Sequence, residues 1–306
     1  MASPARLLST NTRKPVALFL NATRLDYDNK LDFSRIQALC DFRRHDTDIL
    51  RDNDEIVALV EKHQAEIVIT KEMPVPAEAF DKFPASVKLL CEAGTGFNNI
   101  PVAAARQRNV PVCNCPTYST DAVAHMAITY LMNFSVSMFD QQRMLFENNR
   151  ANFTGPFTLP LQEVNDKTLG LVGGAGKIGS KVADIGLALG MKIIISSRSP
   201  TLPAGHHLAS NPNVKVVTSD NLDTLLSESD YVSIHTPLND QTRGTFGKAH
   251  ISKMKPSAFL INTARGVRIF VYMTLDLVGI FLLMMYGPCF AIYEFDTGRH
   301  QGRRID

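Results

Sequence analysis

Lys167-Thr-Leu-Gly-Leu-Val-Gly-Gly-Ala-Gly-Lys-Ile-Gly179, continued by Ser180 to Gly190 and by Met191-Lys-Ile-Ile-Ile195, decides how the rest of the chain is read. An apolar run of strand length enters Gly174-x-Gly176-x-x-Gly179. Val182, Ala183, Ile185, Leu187 and Leu189 then recur at helical spacing before a second apolar run. Strand, glycine turn, helix and strand within about 30 residues make the dinucleotide-binding fingerprint in the context it requires. The first glycine allows the tight turn, the second lets backbone approach a pyrophosphate, and the third lets helix pack against strand. The free N–H groups and positive dipole end of the helix then face an anion. Gly174, Gly176, Lys177, Ile178 and Gly179 are therefore candidate cofactor contacts.

A carboxylate about 20 residues past such a motif would bond the ribose 2′-OH of NAD. Here the second strand ends Ser196-Ser197-Arg198-Ser199 and carries no acid. Arg198 beside the Ser197 hydroxyl suits a 2′-phosphate instead, so NADP(H) is expected in preference to NAD(H).

A chain of 306 residues has room for two domains. A net charge of +2 with mixed signs gives no broad basic face, and no nucleic-acid partner is expected. The five cysteines are odd in number and scattered, which suits a reducing, cytoplasmic location. Cys113 and Cys115 would share one face of a strand and read as buried core. No further ligands stand at matching spacing, so no metal is expected. The first 14 residues are basic and Ser/Thr-rich, with no acid before Asp26. They mildly resemble a mitochondrial presequence, but the stretch is short and its apolar face poor, so a disordered tail is expected.

From Pro15 to Pro116 strands and helices alternate. Val16 to Leu20, Glu66 to Thr70, Val87 to Cys91 and Val110 to Asn114 read as strands. Asp54 to His63 and Val102 to Arg108 read as helices. The alternation implies a parallel sheet covered on both faces. Gly94, Thr95 and Gly96 lie in a Gly-rich loop at the carboxyl end of a strand, where exposed N–H groups can hold a small carboxylate. Thr120 to Phe146 is one long helical pattern with Ser119 or Thr120 as N-cap, and its Met and aromatic stripe reads as core. Residues 148–164 form a loop. Val214 to Val217, Tyr231 to His235 and Ala258 to Asn262 are further strands, and Asn221 to Ser227 and Ala249 to Lys253 helices. His235-Thr236-Pro237 and Thr263-Ala264 follow strand ends, where cofactor-facing loops belong.

With these pieces placed, residues 15–266 resemble the D-isomer-specific 2-hydroxyacid dehydrogenases, in particular the glyoxylate and hydroxypyruvate reductase-like members. The resemblance rests on Ala93 to Ile100, Tyr118 to Ala124, the fingerprint, Ser229 to Leu238 with Thr242-Arg-Gly244, and Met254 to Gly266. Two departures stand out: the Gly173-Gly174 pair, and His125 where many members carry Glu. The resemblance implies two doubly wound parallel-sheet α/β domains, a flavodoxin-like substrate domain and a Rossmann dinucleotide domain, with a cleft between them. The expected division is a disordered tail over 1–14, a substrate domain over 15–120, a connecting helix over 121–150 and an NAD(P)-binding domain over 151–266. It also implies hydride transfer between the nicotinamide and a small 2-oxo acid, the partner expected here. Arg265 matches the catalytic Arg, Gly94 to Gly96 the carboxylate loop, and Thr242 joins the cofactor contacts. A homodimer is implied, with no membrane association.

After Gly266 the match stops, and the helix, Glu strand and His segment of the family are not recognisable, so the expected architecture is C-terminally truncated. Glu294 and His300 do not sit in matching surroundings. Residues 267–306 read first as the product of an unspliced intron or shifted frame. Two other readings are a membrane anchor over Leu277 to Tyr293 and an edge strand near Phe290 to Phe295. The alternative function is a non-catalytic NAD(P)-binding sensor or interaction protein on the same fold.

Overall fold

The computed structural model describes residues 13–239 and 241–264 in full, and beyond them only the backbone of short strands. The chain divides into two compact units, residues 1–118 and 119–306.

In the first unit, β1 (Val16–Phe19), α1 (Ser34–Leu39), β2 (Asp41–Arg44), α2 (Asn53–His63), β3 (Ile67–Thr70), α3 (Ala77–Asp81), β4 (Leu89–Glu92), α4 (Val102–Gln107) and β5 (Val112–Asn114) follow one another. The strands are all parallel, in the order β2-β1-β3-β4-β5. This is the flavodoxin-like order. Successive residues of a strand feed opposite faces: Leu18, Leu20 and Val68 enter one core with Ile56, Val60, Phe80 and Ala105, whereas Ala17, Phe19 and Ile69 enter another. Helix α2 starts where the Asp52 carboxylate accepts from the Asp54 N–H and stops at Gln64, which turns left-handed at φ 49°. Residues 1–12 of the expected tail lie outside the described residues. Arg13 and Lys14 are tied down, to Glu66 and to the Gln37 carbonyl.

The second unit runs α5 (Thr120–Val136), α6 (Met138–Phe146), α7 (Ala151–Thr154), β6 (Thr168–Val172), α8 (Lys177–Ala188), β7 (Lys192–Ser197), β8 (Val214–Thr218), α9 (Asp223–Glu228), β9 (Tyr231–Ile234), β10 (Phe246–Gly247), α10 (Lys248–Ile251) and β11 (Phe259–Asn262). The backbone strands β12 (Ile269–Phe270), β13 (Phe281–Tyr286), β14 (Cys289–Glu294) and β15 (Arg303–Ile305) complete it. The main sheet has the order β15-β14-β13-β11-β9-β6-β7-β8, parallel from β8 to β13 and antiparallel beyond. From β8 to β13 this is the Rossmann order. Leu169, Leu171, Ile193, Ile195, Tyr231 and Phe259 pack on one face with α5 and α8; Val172, Ile194, Val232, Ile234 and Leu260 pack on the other.

Two expectations are corrected. The pattern from Thr120 to Phe146 is two helices bent by 65°, because Ser137 takes the left-handed conformation at φ 49° and ends α5. The Phe139 N–H turns instead to the Asn133 side chain. The inward stripe of α5 is core as expected, with Phe134 stacked 4.8 Å from Phe259. Cys113 and Cys115 are exposed rather than buried: β5, which carries Cys113 and ends just before Cys115, is the edge of its sheet.

A strand does run near Phe290 to Phe295, as β14, but it lies between β13 and β15 rather than at the sheet edge that was expected. The intron-derived and membrane-anchor readings fall on residues described only as strand backbone or not at all. Among the described residues no single helix is long and apolar enough to cross a membrane. The bent pair α5 and α6 meets that length and composition jointly, and the inward face of α5 is core.

Candidate active site

Each expected cofactor contact but one stands at the carboxyl edge of the second sheet, around the point where strand order reverses between β6 and β9. The turn after β6 shows why glycines are needed there. Gly173 takes φ +83°, and a Cβ on it would stand 2.4 Å from Thr236 Cγ2. A Cβ on Gly174 would come within 2.7 Å of Leu171 Cβ, and one on Gly179 within 2.5 Å of Gly174 Cα. The tight turn therefore falls on Gly173, the extra glycine, rather than on Gly174, whose missing side chain serves packing. Gly176 differs: a Cβ there would meet nothing closer than the Gly173 carbonyl at 3.5 Å, and both it and Lys177 are exposed. Its open side is a cradle that only a ligand, not the fold, calls for.

Helix α8 is prepared for an anion. Its N-cap is Gly176, with no side chain to engage the first-turn N–H groups of Lys177, Ile178 and Gly179, and no acid stands in that turn. Such N–H groups lack intrahelical acceptors, and the dipole adds positive potential at this end. A pyrophosphate fits what these residues offer.

Neighbouring strands bring further groups to the same edge. The His235 N–H donates to the Val172 carbonyl at 2.8 Å, which fastens the end of β9 to the glycine turn. The residue keeps some exposed surface, yet both ring nitrogens are shut from solvent and have no hydrogen-bond partner among the described residues. Burial pushes its pKa down to about 4. Thr263, just past β11, likewise has a buried Oγ1 without a described partner, and Ala264 N–H donates to the Asn262 side chain. Thr236 and Pro237 complete the loop after β9.

At the end of β7, Ser196 is buried and its Oγ accepts from the Gly173 N–H at 3.0 Å, leaving Ser197 half-buried and Arg198 exposed as the groups that can meet a ligand. Thr242 plays another part. Its hydroxyl donates to the Pro237 carbonyl at 2.7 Å and accepts from the Asn239 N–H at 2.9 Å, so it closes the turn that holds the loop. Arg265, the expected catalytic residue, lies outside the described residues.

In the first unit, Gly94, Thr95 and Gly96 follow β4. Asn114 Nδ2 donates to the Thr95 carbonyl at 2.8 Å, and the Cys115 N–H to the Gly94 carbonyl at 3.0 Å. Beneath the loop lies a carboxylate the sequence reading did not single out. Glu92 is 1 % exposed and accepts from Thr70 Oγ1, Asn99 Nδ2 and the Glu72 N–H at 2.7–2.8 Å. Lys71, also missed, donates to Tyr118 Oη at 2.7 Å. Both stand at the carboxyl ends of strands, where periodicity reads a charge as surface; the signal was a charge closing a mostly apolar parallel strand.

Comparison with known proteins agrees with this geometry. Residues 128–269 match the family model described as D-isomer specific 2-hydroxyacid dehydrogenase, NAD binding domain. A hydroxypyruvate reductase of Blautia hydrogenotrophica is 32 % identical over 240 residues, covering 77 % of this chain and 70 % of that protein. Among solved structures, a glyoxylate reductase from Paecilomyes thermophila superposes with a TM-score of 0.69 at 25 % identity, over 84 % of this chain and 75 % of that one. An acyclic imino acid reductase in complex with NADPH and D-Arg gives 0.70 at 25 % identity, over 84 % and 76 %. Other curated relatives are matched over about half of their own length, 53 % and 54 % in two cases.

Proposed function

This chain belongs to the D-isomer-specific 2-hydroxyacid dehydrogenases, an oxidoreductase family, and from that premise we propose that it transfers a hydride between NADP(H) and a small 2-oxo acid of the glyoxylate or hydroxypyruvate type. The observation that carries the reading is the turn after β6, where Gly173, Gly174 and Gly179 are required by packing and Gly176 is required by nothing in the fold. When bound, the coenzyme supplies the hydride at its nicotinamide ring. The chain's own residues bind and orient it: first-turn N–H groups of α8 on the pyrophosphate, Arg198 and Ser197 on the 2′-phosphate, and the loops after β9 and β11 beyond. The N–H groups of Gly94 and Gly96 have no acceptor among the described residues and are free for the acid's carboxylate. Arg265 is assigned to polarising the carbonyl, as the family resemblance implies.

Purified protein is expected to bind NADPH in a fluorescence titration and to consume its absorbance with hydroxypyruvate or glyoxylate; absence of both would defeat the reading. Arg198→Ala is expected to weaken NADPH roughly tenfold and leave NADH unchanged, the worth of a charge-assisted phosphate contact. A second reading, a non-catalytic NAD(P)-binding protein, is suggested by the end of the family match at residue 269. Tight NADPH binding with no turnover of any 2-oxo acid would support it.

A further inference from the structure

The sheet of the first unit reverses its order between β1 and β3, and in open α/β sheets ligands bind outside the carboxyl ends of strands at such a point. Lys71 stands there, directly after β3. Its backbone is held on both sides by one side chain: the Lys71 N–H donates to Asn21 Oδ1 at 2.9 Å, and Asn21 Nδ2 donates to the Lys71 carbonyl at 2.8 Å. Glu72 is then fixed at φ 52°, its N–H donating to Glu92 Oε1 at 2.8 Å. A main chain held this tightly aims the Lys71 side chain rather than leaving it to solvent.

The ammonium at its end is short of partners. Lys71 is 8 % exposed, and its ion-pair partner among the described residues is Glu72 at 3.5 Å. The other oxygen of Glu72 lies 3.4 Å from Arg24. Glu92 lies on the same side of Gly94 but makes no direct ion pair with Lys71; its oxygens accept instead from Thr70, Asn99 and the Glu72 N–H. With Tyr118 Oη at 2.7 Å, an ammonium with three donors has one good acceptor and one long one. Desolvating a cation on such terms is costly, and an apolar residue would serve the fold better.

The position says what would complete it. A Cβ on Gly94 would stand 3.5 Å from Lys71 Nζ, so the ammonium borders the loop assigned above to the acid's carboxylate. We propose that Lys71 and Tyr118 form a second polar subsite, which selects 2-oxo and 2-hydroxy acids with a hydroxyl or other hydrogen-bond acceptor at C3 over those bearing a methyl group or nothing. This rests on the reading of the Gly94 to Gly96 loop. One end of the acid takes the backbone N–H groups; its C3 substituent accepts from Lys71, with the Tyr118 hydroxyl beside it.

D-glycerate and D-lactate differ by one C3 hydroxyl, so calorimetric titration of the full chain with each, at saturating NADP⁺, is the test. D-glycerate is expected to bind about tenfold tighter, the worth of a hydrogen bond to a charged group. Lys71→Met is expected to erase that ratio by weakening D-glycerate alone, Lys71→Arg to keep most of it, and Tyr118→Phe to reduce it. Equal affinities in the unmodified protein, or an equal loss for both acids in Lys71→Met, would overturn the inference and leave the loop's role standing. Binding of neither acid by protein that still binds NADP⁺ would overturn the loop's role, and the inference with it.

Discussion

The turn after β6 and the loop after β4 each leave the carboxyl end of a parallel strand, and both are rich in glycine, yet they are built on opposite principles. Around Gly173, Gly174 and Gly179 the clashing neighbours include main chain: a Cβ on Gly179 meets Gly174 Cα at 2.5 Å and the Gly173 carbonyl at 2.8 Å. Around Gly94 they are side chains, Glu92 Oε1 at 2.7 Å and Lys71 Nζ at 3.5 Å. The first region therefore presents backbone dipoles and reads a feature every dinucleotide shares. The second presents charged side chains on a buried hydrogen-bonded frame, and side chains are where preferences among similar acids are written.

The contrast is most exposed to Gly179→Ala. Backbone cannot yield there, and overpacking on the order of 3 kcal/mol is expected, with loss of NADPH binding, read by thermal denaturation and titration. A mutant that melts normally would show that the turn has slack. Next comes pH. The folded protein keeps His235 neutral down to about 4, whereas the unfolded chain protonates it near its ordinary 6.5. The unfolded state thus binds the extra proton, so this contribution is complete above pH 6.5 and is lost as pH falls from 6.5 towards 4, about 3 kcal/mol in all. His235→Asn should flatten that slope in denaturant titrations at several pH values.

On the other side of the comparison, Glu92→Gln keeps the shape but turns an NH2 towards a donor that had an acceptor, at a cost of about 2 kcal/mol. NADPH affinity should be untouched; a fall would mean that the two regions are not independent. The smallest effect sharpens the point. Gly176→Ala places a methyl in ordinary contact, so stability should change by less than about 0.5 kcal/mol while NADPH dissociation rises roughly tenfold.

The Rossmann half was legible because its strands are continuous apolar runs and its turn has a fixed glycine spacing. Boundaries for β6, β9 and β11 fell within about one residue. What escaped notice did so for physical reasons. Asp-Phe-Arg-Arg of β2 carries the charges of an edge strand, where pairing comes from backbone alone. The bend at Ser137 lies inside an apolar run, and only an αL backbone marks it. Gly173 looked like a departure from the motif and is the residue that makes the turn. Lys71, Glu92 and Asn21 could not be found by periodicity, because their partners are distant in sequence and lie mostly in loops.

Edge strand β5 has a practical corollary. Cys113 faces outward there and Cys115, just beyond, is exposed while its backbone is tied to Gly94 and Thr95. The thiol of Cys91 is half-buried and pushed up to about 11 by that burial, so it stays protonated and unreactive at neutral pH. A maleimide fluorophore or spin label placed on Cys113 or Cys115 would therefore sit beside the acid-holding loop, and its signal would follow an acid's arrival there.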